Sequence, residues 1–456
     1  MMIAPKPERH KLSKSTFMSG CQCPKRLWLH KFMPGERDEQ SEEQTAILQS
    51  GTNVGLLARQ LFPGGVDASP ETPYLYQQSV ADTARLISRG VAVIYEAAFQ
   101  FEGILAAIDI LVQKEGRWYA FEVKGSNSVK PPYIQDAALQ YYVITNAGLP
   151  LADINIVHLN RDYIRKGELD IPQLFSCSSV LEEVQALQPF IVSKAVELKQ
   201  VLLLKQPPEI QMGNQCNSPY ACDFQGFCSK GIAKEPAETL VEEEYINRVA
   251  IQEFLDELQY PLQFLDFETW MTAIPEQDGH WPYRQIPFQY SLHIQQNENS
   301  NADHKYYLAE GPHISHLEFA ESLLESIPQD GSVLVYNKTF ENSILEHLKN
   351  EFELLASAIE NIQSRLVDLM PVFRSHYRLP AMQGSYSLKT VLPAILPELN
   401  YDELEIGDGM AASSAFYNLK QVQDEPEKQA TRKALLEYCG LDTMAMVRML
   451  EKLTEI

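Results

Sequence analysis

Three cysteines at one spacing, Cys216-x5-Cys222-x5-Cys228, sit in the stretch Met212 to Cys228, which is rich in Gly, Asn, Ser and Pro and has neither a helical nor a strand period. Such a stretch builds little apolar core and has to be held by a staple. The other cysteines are Cys21, Cys23, Cys177 and Cys439, and an odd total in a large chain whose start, Met1 to Lys14, carries charge and prolines is not a disulfide framework. Three thiolates are one short of a closed sulfur site, so a fourth comes from elsewhere in the chain, and Cys23 or Cys21 is the natural donor.

The 456 residues predict two to four domains. With 45% hydrophobic and 22% charged residues the chain has enough apolar material for real cores. The most apolar run, Gly103 to Val112, is short and carries Asp109, so no membrane span is expected and a cytoplasmic protein is. A net charge of -23 argues against a surface that coats phosphate backbone all over. The opening block is the exception: Lys6, Arg9, Lys11, Lys14, Lys25, Arg26 and Lys31 face one acid, Glu8, up to residue 35. Lys25 and Arg26 are the candidate nucleic-acid contacts there. Residues 231–245 are polar and period-poor, which predicts a linker between a first domain, 1–230, and a second, 246–456.

Periodicity predicts helices near 45–62, 79–89 and 132–147, strands at 91–99, 103–112, 118–123 and 154–159, and one long helix over 178–204. In the segment Trp118 to Gly125, alternation puts Glu122 and Lys124 on one face and Phe121 and Val123 on the other. Asp109, at the end of an apolar strand, and Glu122 are a pair of carboxylates able to share a divalent cation, with the Val123 carbonyl as a further oxygen ligand. Lys124 beside that cation would orient or deprotonate a water and offset charge on a scissile phosphate.

This set, with Gln140 on the following helix, resembles the PD-(D/E)xK nucleases, in particular the RecB-type branch that includes the iron-sulfur exonucleases of CRISPR adaptation. Cys23-Pro-Lys-Arg-Leu-Trp28 resembles the branch's N-terminal cysteine motif, and the three-cysteine cluster its C-terminal one. The resemblance implies a restriction-endonuclease-like fold over roughly residues 10 to 230. It also implies that Cys23, Cys216, Cys222 and Cys228 hold a 4Fe-4S cluster, with zinc as the runner-up metal.

In the second half, Leu262-Gln-Phe-Leu-Asp266-Phe-Glu268 places two acids on one face of an apolar strand, which is costly unless cations pair them. Later Asn337-x3-Glu341 follows an apolar strand, and Tyr438-x3-Asp442 puts a tyrosine and an acid on one helical face. The ordered set resembles the DEDD 3'-to-5' exonucleases on an RNase H-like fold, of the variety with tyrosine in its last motif. It implies that Asp266, Glu268, Glu341 and Asp442 hold two Mg²⁺ or Mn²⁺ ions and that Tyr438 positions the water. Glu341 stands where that family carries Asp. Asp368 resembles an auxiliary position, or else caps a helix. Pro282 to Tyr290, Gly384 to Lys389 and Tyr438 to Met446 resemble a bacterial family described only as a domain of unknown function, across most of 262 to 450. The histidines 304, 313 and 316 read as surface or loop residues without partners.

The expectation is thus an α/β chain of two nuclease-type domains hydrolysing DNA, or alternatively RNA, beside a helicase, CRISPR or repair partner. The alternative is a nucleic-acid-binding scaffold with a structural cluster and at least one degenerate active site.

Overall fold

The computed structural model describes residues 10–39, 42–230, 243–311 and 314–456. Most of the expected linker, 231–242, lies outside the described residues, as do Lys6, Arg9 and His313. The chain divides into two compact units: Met1–Ala233 with Thr272–Arg284, and Lys234–Met271 with Gln285–Ile456. Both are mixed α/β, and no helix among the described residues is long and apolar enough to cross a membrane.

The first unit is built on a seven-stranded sheet: β1 (Leu12–Ser13), β2 (Val66–Asp67), β3 (Val93–Phe101), β4 (Ile104–Lys114), β5 (Arg117–Lys124), β6 (Leu151–Leu159) and β7 (Phe175–Ser179). Its order is β2-β3-β4-β5-β6-β7, with β1 laid parallel on β4. Two Glu-Gly pairs make the central meander. Glu102 and Gly103, at φ 45° and 73°, turn β3 into β4, and Glu115 and Gly116, at 51° and 72°, turn β4 into β5. Two successive positive φ values are the hairpin turn whose twist matches that of its strands. β5 and β6 then pair in parallel, which requires a crossover, and the helix Pro131–Asn146 supplies it. The long helix expected over 178–204 is instead the end of β7 followed by two helices, Leu181–Ala186 and Gln188–Val201. Pro189, which has no N–H to give a continuing helix, sits in the first turn of the second one.

In the second unit a two-residue strand β8 (Tyr245–Ile246) pairs with β14 (Tyr377–Arg378). The main sheet has β9 (Leu262–Trp270) at its centre, β10 (Ile286–Gln295) and β11 (Asp303–Leu308) antiparallel on one side, and β12 (Val333–Val335) and β13 (Leu366–Asp368) parallel on the other. Strand alternation splits β9 between two cores. Leu265 and Phe267 join Phe319, Val333 and Ile344, whereas Leu262, Phe264 and Trp270 join Met446, Met449 and Leu450 of the C-terminal helix Glu425–Thr454. Asp266 and Glu268 share the second face, toward that helix.

Candidate functional sites

In the first unit β5 and the crossover helix bring Glu122, Lys124, Asp136 and Gln140 together, and the start of the N-terminal helix Lys14–Gln22 adds Lys14. Lys124 Nζ lies 2.7 Å from Glu122 Oε1 and 2.6 Å from Asp136 Oδ2. Lys14 Nζ is also 2.7 Å from Glu122 Oε1 and 3.7 Å from Asp136 Oδ2. Gln140 Nε2 donates to Glu122 Oε2 at 2.8 Å. Burial by itself would depress both lysines, but the Glu122 and Asp136 carboxylates outweigh it and hold each well above the ordinary lysine value. Lys124 therefore stands as an ammonium, not a ready base.

Asp109 turns to the backbone, accepting from Val123 N–H at 2.6 Å. Burial raises its carboxyl, and Lys14 opposes that rise. Glu96 falls across from Asp109 in the β3–β4 register at φ 54°, a left-handed conformation costly for a glutamate, and it pairs with Arg59 at 3.4 Å. Lys14 and Glu96 gave no signal in the sequence, being far from the motif along the chain. Asp136 did, standing four residues before Gln140 on one helical face.

The four expected cysteines Cys23, Cys216, Cys222 and Cys228 line one hollow, together with Lys25, Arg26, Leu29, Met212 and Phe224. Cys21 points elsewhere: it packs against the unit's core, where burial pushes its thiol up to about 11. Burial also raises Cys228, against the neighbouring Lys25. The chain's start is sewn to this segment. Gln22 Nε2 donates to the Gln215 and Tyr220 carbonyls at 2.8 and 2.7 Å, and Arg26 and Arg37 meet the two oxygens of Asp223 at 2.7 and 2.6 Å. Arg26, expected at nucleic acid, thus fastens the cysteine segment.

In the second unit Asp266 and Glu268 of β9 meet Tyr438, Cys439 and Asp442 of the C-terminal helix. Tyr401 donates to Asp442 Oδ1 at 2.5 Å, and Cys439 Sγ lies 3.6 Å from Asp266 Oδ2. Lys389 Nζ sits 5.7 and 5.3 Å from the Tyr401 and Tyr438 ring centres and is the cation that opposes the acids. Glu341, on the helix Lys338–Glu351, is 1% exposed, and its Oε2 has no hydrogen-bond partner. Burial drives every acid upward: Asp266 and Glu268 well above the carboxylate range, Asp442 to about 6 and Glu341 to about 8. Repulsion from Asp442 adds to the rise of Asp266 and Glu268. These are acids short of positive charge.

Asp368 caps a helix, accepting from Asn337 N and Lys338 N at 3.1 and 3.0 Å. Asn337 itself is at φ 78°, the bend that delivers Glu341. Two histidines differ from expectation: His304 stacks on His293 at 4.3 Å and pairs with Ser291, and His316 is buried 3.0 Å from Glu351. Among the described residues, the group of three or more His, Cys, Asp or Glu ligand atoms within 4.8 Å of one another is Asp266, Glu268 and Cys439. The cysteine sulfurs of the hollow do not crowd that closely. Cys439 was missed in the sequence, although its position three residues before Asp442 on one helix was the available signal; Lys389 stood in the Gly384 to Lys389 stretch without an assigned role, and Tyr401 had no signal.

Residues 263–387 match the family described as "Domain of unknown function (DUF2779)", which takes in Asp266, Glu268 and Glu341 but stops short of Tyr438 and Asp442. No match is found among the curated proteins.

Proposed function

We propose that this chain is a metal-dependent nuclease that hydrolyses phosphodiesters of DNA, with RNA as the alternative substrate. Its second unit would carry an RNase H-like 3'-to-5' exonuclease site and its first a PD-(D/E)xK site. The observation that carries the reading is the convergence of Asp266, Glu268, Asp442 and the half-satisfied Glu341 on a buried, cation-poor spot. The donor set fits Mg²⁺ or Mn²⁺: hard oxygen ligands whose mutual repulsion a divalent ion relieves. Asp266, Glu268, Glu341 and Asp442 would hold two such ions, which would supply charge stabilisation for an in-line displacement. The protein's own groups do the rest. Tyr401 fixes Asp442, Tyr438 offers its hydroxyl beside the same carboxylate, and Lys389 tempers the charge. The central β9 with antiparallel β10 and β11 and parallel β12 and β13 supports the RNase H-like reading.

In the first unit Lys124, held as an ammonium between Glu122 and Asp136, would face the scissile phosphate while Gln140 locks Glu122. The hollow fits a 4Fe-4S cluster held by Cys23, Cys216, Cys222 and Cys228. Zinc is the runner-up metal for the same four thiols. Such an iron-sulfur cluster would act as a staple, with Lys25 in the same lining beside its negative charge.

The test is cleavage of end-labelled single- and double-stranded DNA and RNA by the cluster-loaded chain with Mn²⁺. Asp266→Ala should cost the 3'-to-5' trimming roughly a hundredfold or more, the scale of losing a preorganised electrostatic group. No cleavage of any substrate would sink the enzyme reading. One observation favours a second reading, a scaffold that serves a helicase, CRISPR or repair partner: Glu122 already pairs with two ammoniums, as in a site that has given up its metal. Lys124→Ala with unchanged cleavage and unchanged DNA binding would select it for the first unit.

A further inference from the structure

The exonuclease-like site contains an atom its proposed chemistry does not use, the thiol of Cys439. It is wholly buried, it lies between Tyr438 and Asp442 on the C-terminal helix, and its Sγ falls within 4.8 Å of ligand oxygens of both Asp266 and Glu268. A second observation points to a ligand at the same spot: Glu341, 1% exposed, leaves Oε2 without a partner and acts electrostatically on Asp266 and Glu268. An all-oxygen set suits Mg²⁺ or Mn²⁺, whereas one thiolate among carboxylates turns preference toward borderline and soft cations.

We propose that Cys439 is a metal ligand, and that Cys439, Asp266 and Glu268 together form a position for a thiophilic divalent cation such as Zn²⁺ or Cd²⁺ within the second unit's site. On binding, the S–H bond is replaced by an S–metal bond. The thiol proton leaves to water, as do the protons that the Asp266 and Glu268 carboxyls give up on becoming ligands, so that each of the three binds as an anion. Zn²⁺ then competes with Mg²⁺ for Asp266 and Glu268 and acts as a brake on the reaction proposed for this unit. The inference deepens the nuclease reading, but its measurement is independent of cleavage.

The probe is Co²⁺ alone, added to the full chain and followed by near-ultraviolet absorption, where thiolate-to-metal charge transfer appears. The hollow of four cysteines also takes up Co²⁺, so the quantity read is the difference between wild type and Cys439→Ser. The expected result is a charge-transfer component lost in Cys439→Ser and equally lost in Asp266→Asn. Competing Zn²⁺ should bind the Cys439→Ser site on the order of tenfold or more weakly, the scale of disturbing a metal's ligand set. Identical Co²⁺ spectra for wild type and Cys439→Ser overturn the proposal, as does a component that survives intact in Asp266→Asn. If the serine variant fails to fold, cadmium-113 resonance of the wild-type chain decides: a signal separate from that of the four-sulfur site supports the ligand, and its absence overturns it. A chain that shows the Co²⁺ signal but cleaves nothing keeps this inference and loses the nuclease reading; the reverse result does the opposite.

Discussion

The two units gather buried acids in opposite ways. In the first, Glu122 and Asp136 are met by Lys14 and Lys124 at 2.6 to 3.7 Å and by Gln140, so the cluster carries its own counter-charge. In the second, Asp266, Glu268, Glu341 and Asp442 have Lys389, two tyrosine hydroxyls and a thiol, and their carboxyls rise. The difference separates a site that carries its own counter-charge from one that is short of positive charge.

The contrast breaks most sharply on removal of one acid. Glu122→Gln should destabilise the first unit by about 3 kcal/mol in urea melts, because it leaves Lys14 and Lys124 short of a buried partner. Glu268→Gln in EDTA should do the opposite and raise the melting point, since it deletes repulsion; a matching loss in both variants would erase the distinction. Next in size is the response to metal. Mn²⁺ at a hundred times its dissociation constant should stabilise the second unit by about 2.7 kcal/mol, with the gain absent in Asp266→Ala.

The pH responses of the second unit's buried acids and of Asp223 in the first unit have opposite signs. Glu341 is raised from 4.5 to about 8 and Asp442 from 3.8 to about 6, so in EDTA their contribution is complete below pH 4 and fades as pH climbs toward 8. Asp223 of the first unit is lowered: burial would raise it, but Arg26, His30 and Arg37 prevail. Its contribution is present above pH 3.8 and is lost on acidification. Thermal melts across about pH 2 to 9 test the sign, and Glu341→Gln should flatten the second unit's slope. The smallest effect concerns DNA: Lys25→Ala should reduce the salt slope of binding by about one unit, whereas Arg26→Ala should mainly loosen the cysteine segment.

Much of this was legible because it is periodic. Alternation gave the shared face of Glu122 and Lys124 and that of Asp266 and Glu268, and helical spacing gave Tyr438 with Asp442. At both hairpins a Glu-Gly pair takes two positive φ values in succession, which few residue pairs tolerate. Illegible were the groups that arrive by tertiary contact. Lys14 reaches Glu122 across 108 positions and Tyr401 reaches Asp442 across 41, and no local pattern encodes either pairing. That Cys23 and not Cys21 lines the hollow with Cys216, Cys222 and Cys228 is likewise a matter of tertiary placement.

The stitching of Gln22 to Gln215 and of Arg26 to Asp223 spans 193 and 197 positions. Its consequence is temporal. A ribosome adding about 5 to 20 residues per second delivers Asp223 on the order of 10 to 40 s after Arg26. Until then the helices Lys14–Gln22 and Pro24–Phe32, with Cys23 between them, emerge without the segment that clasps them. This part of the nascent chain, Cys23 included, waits for a partner not yet synthesised.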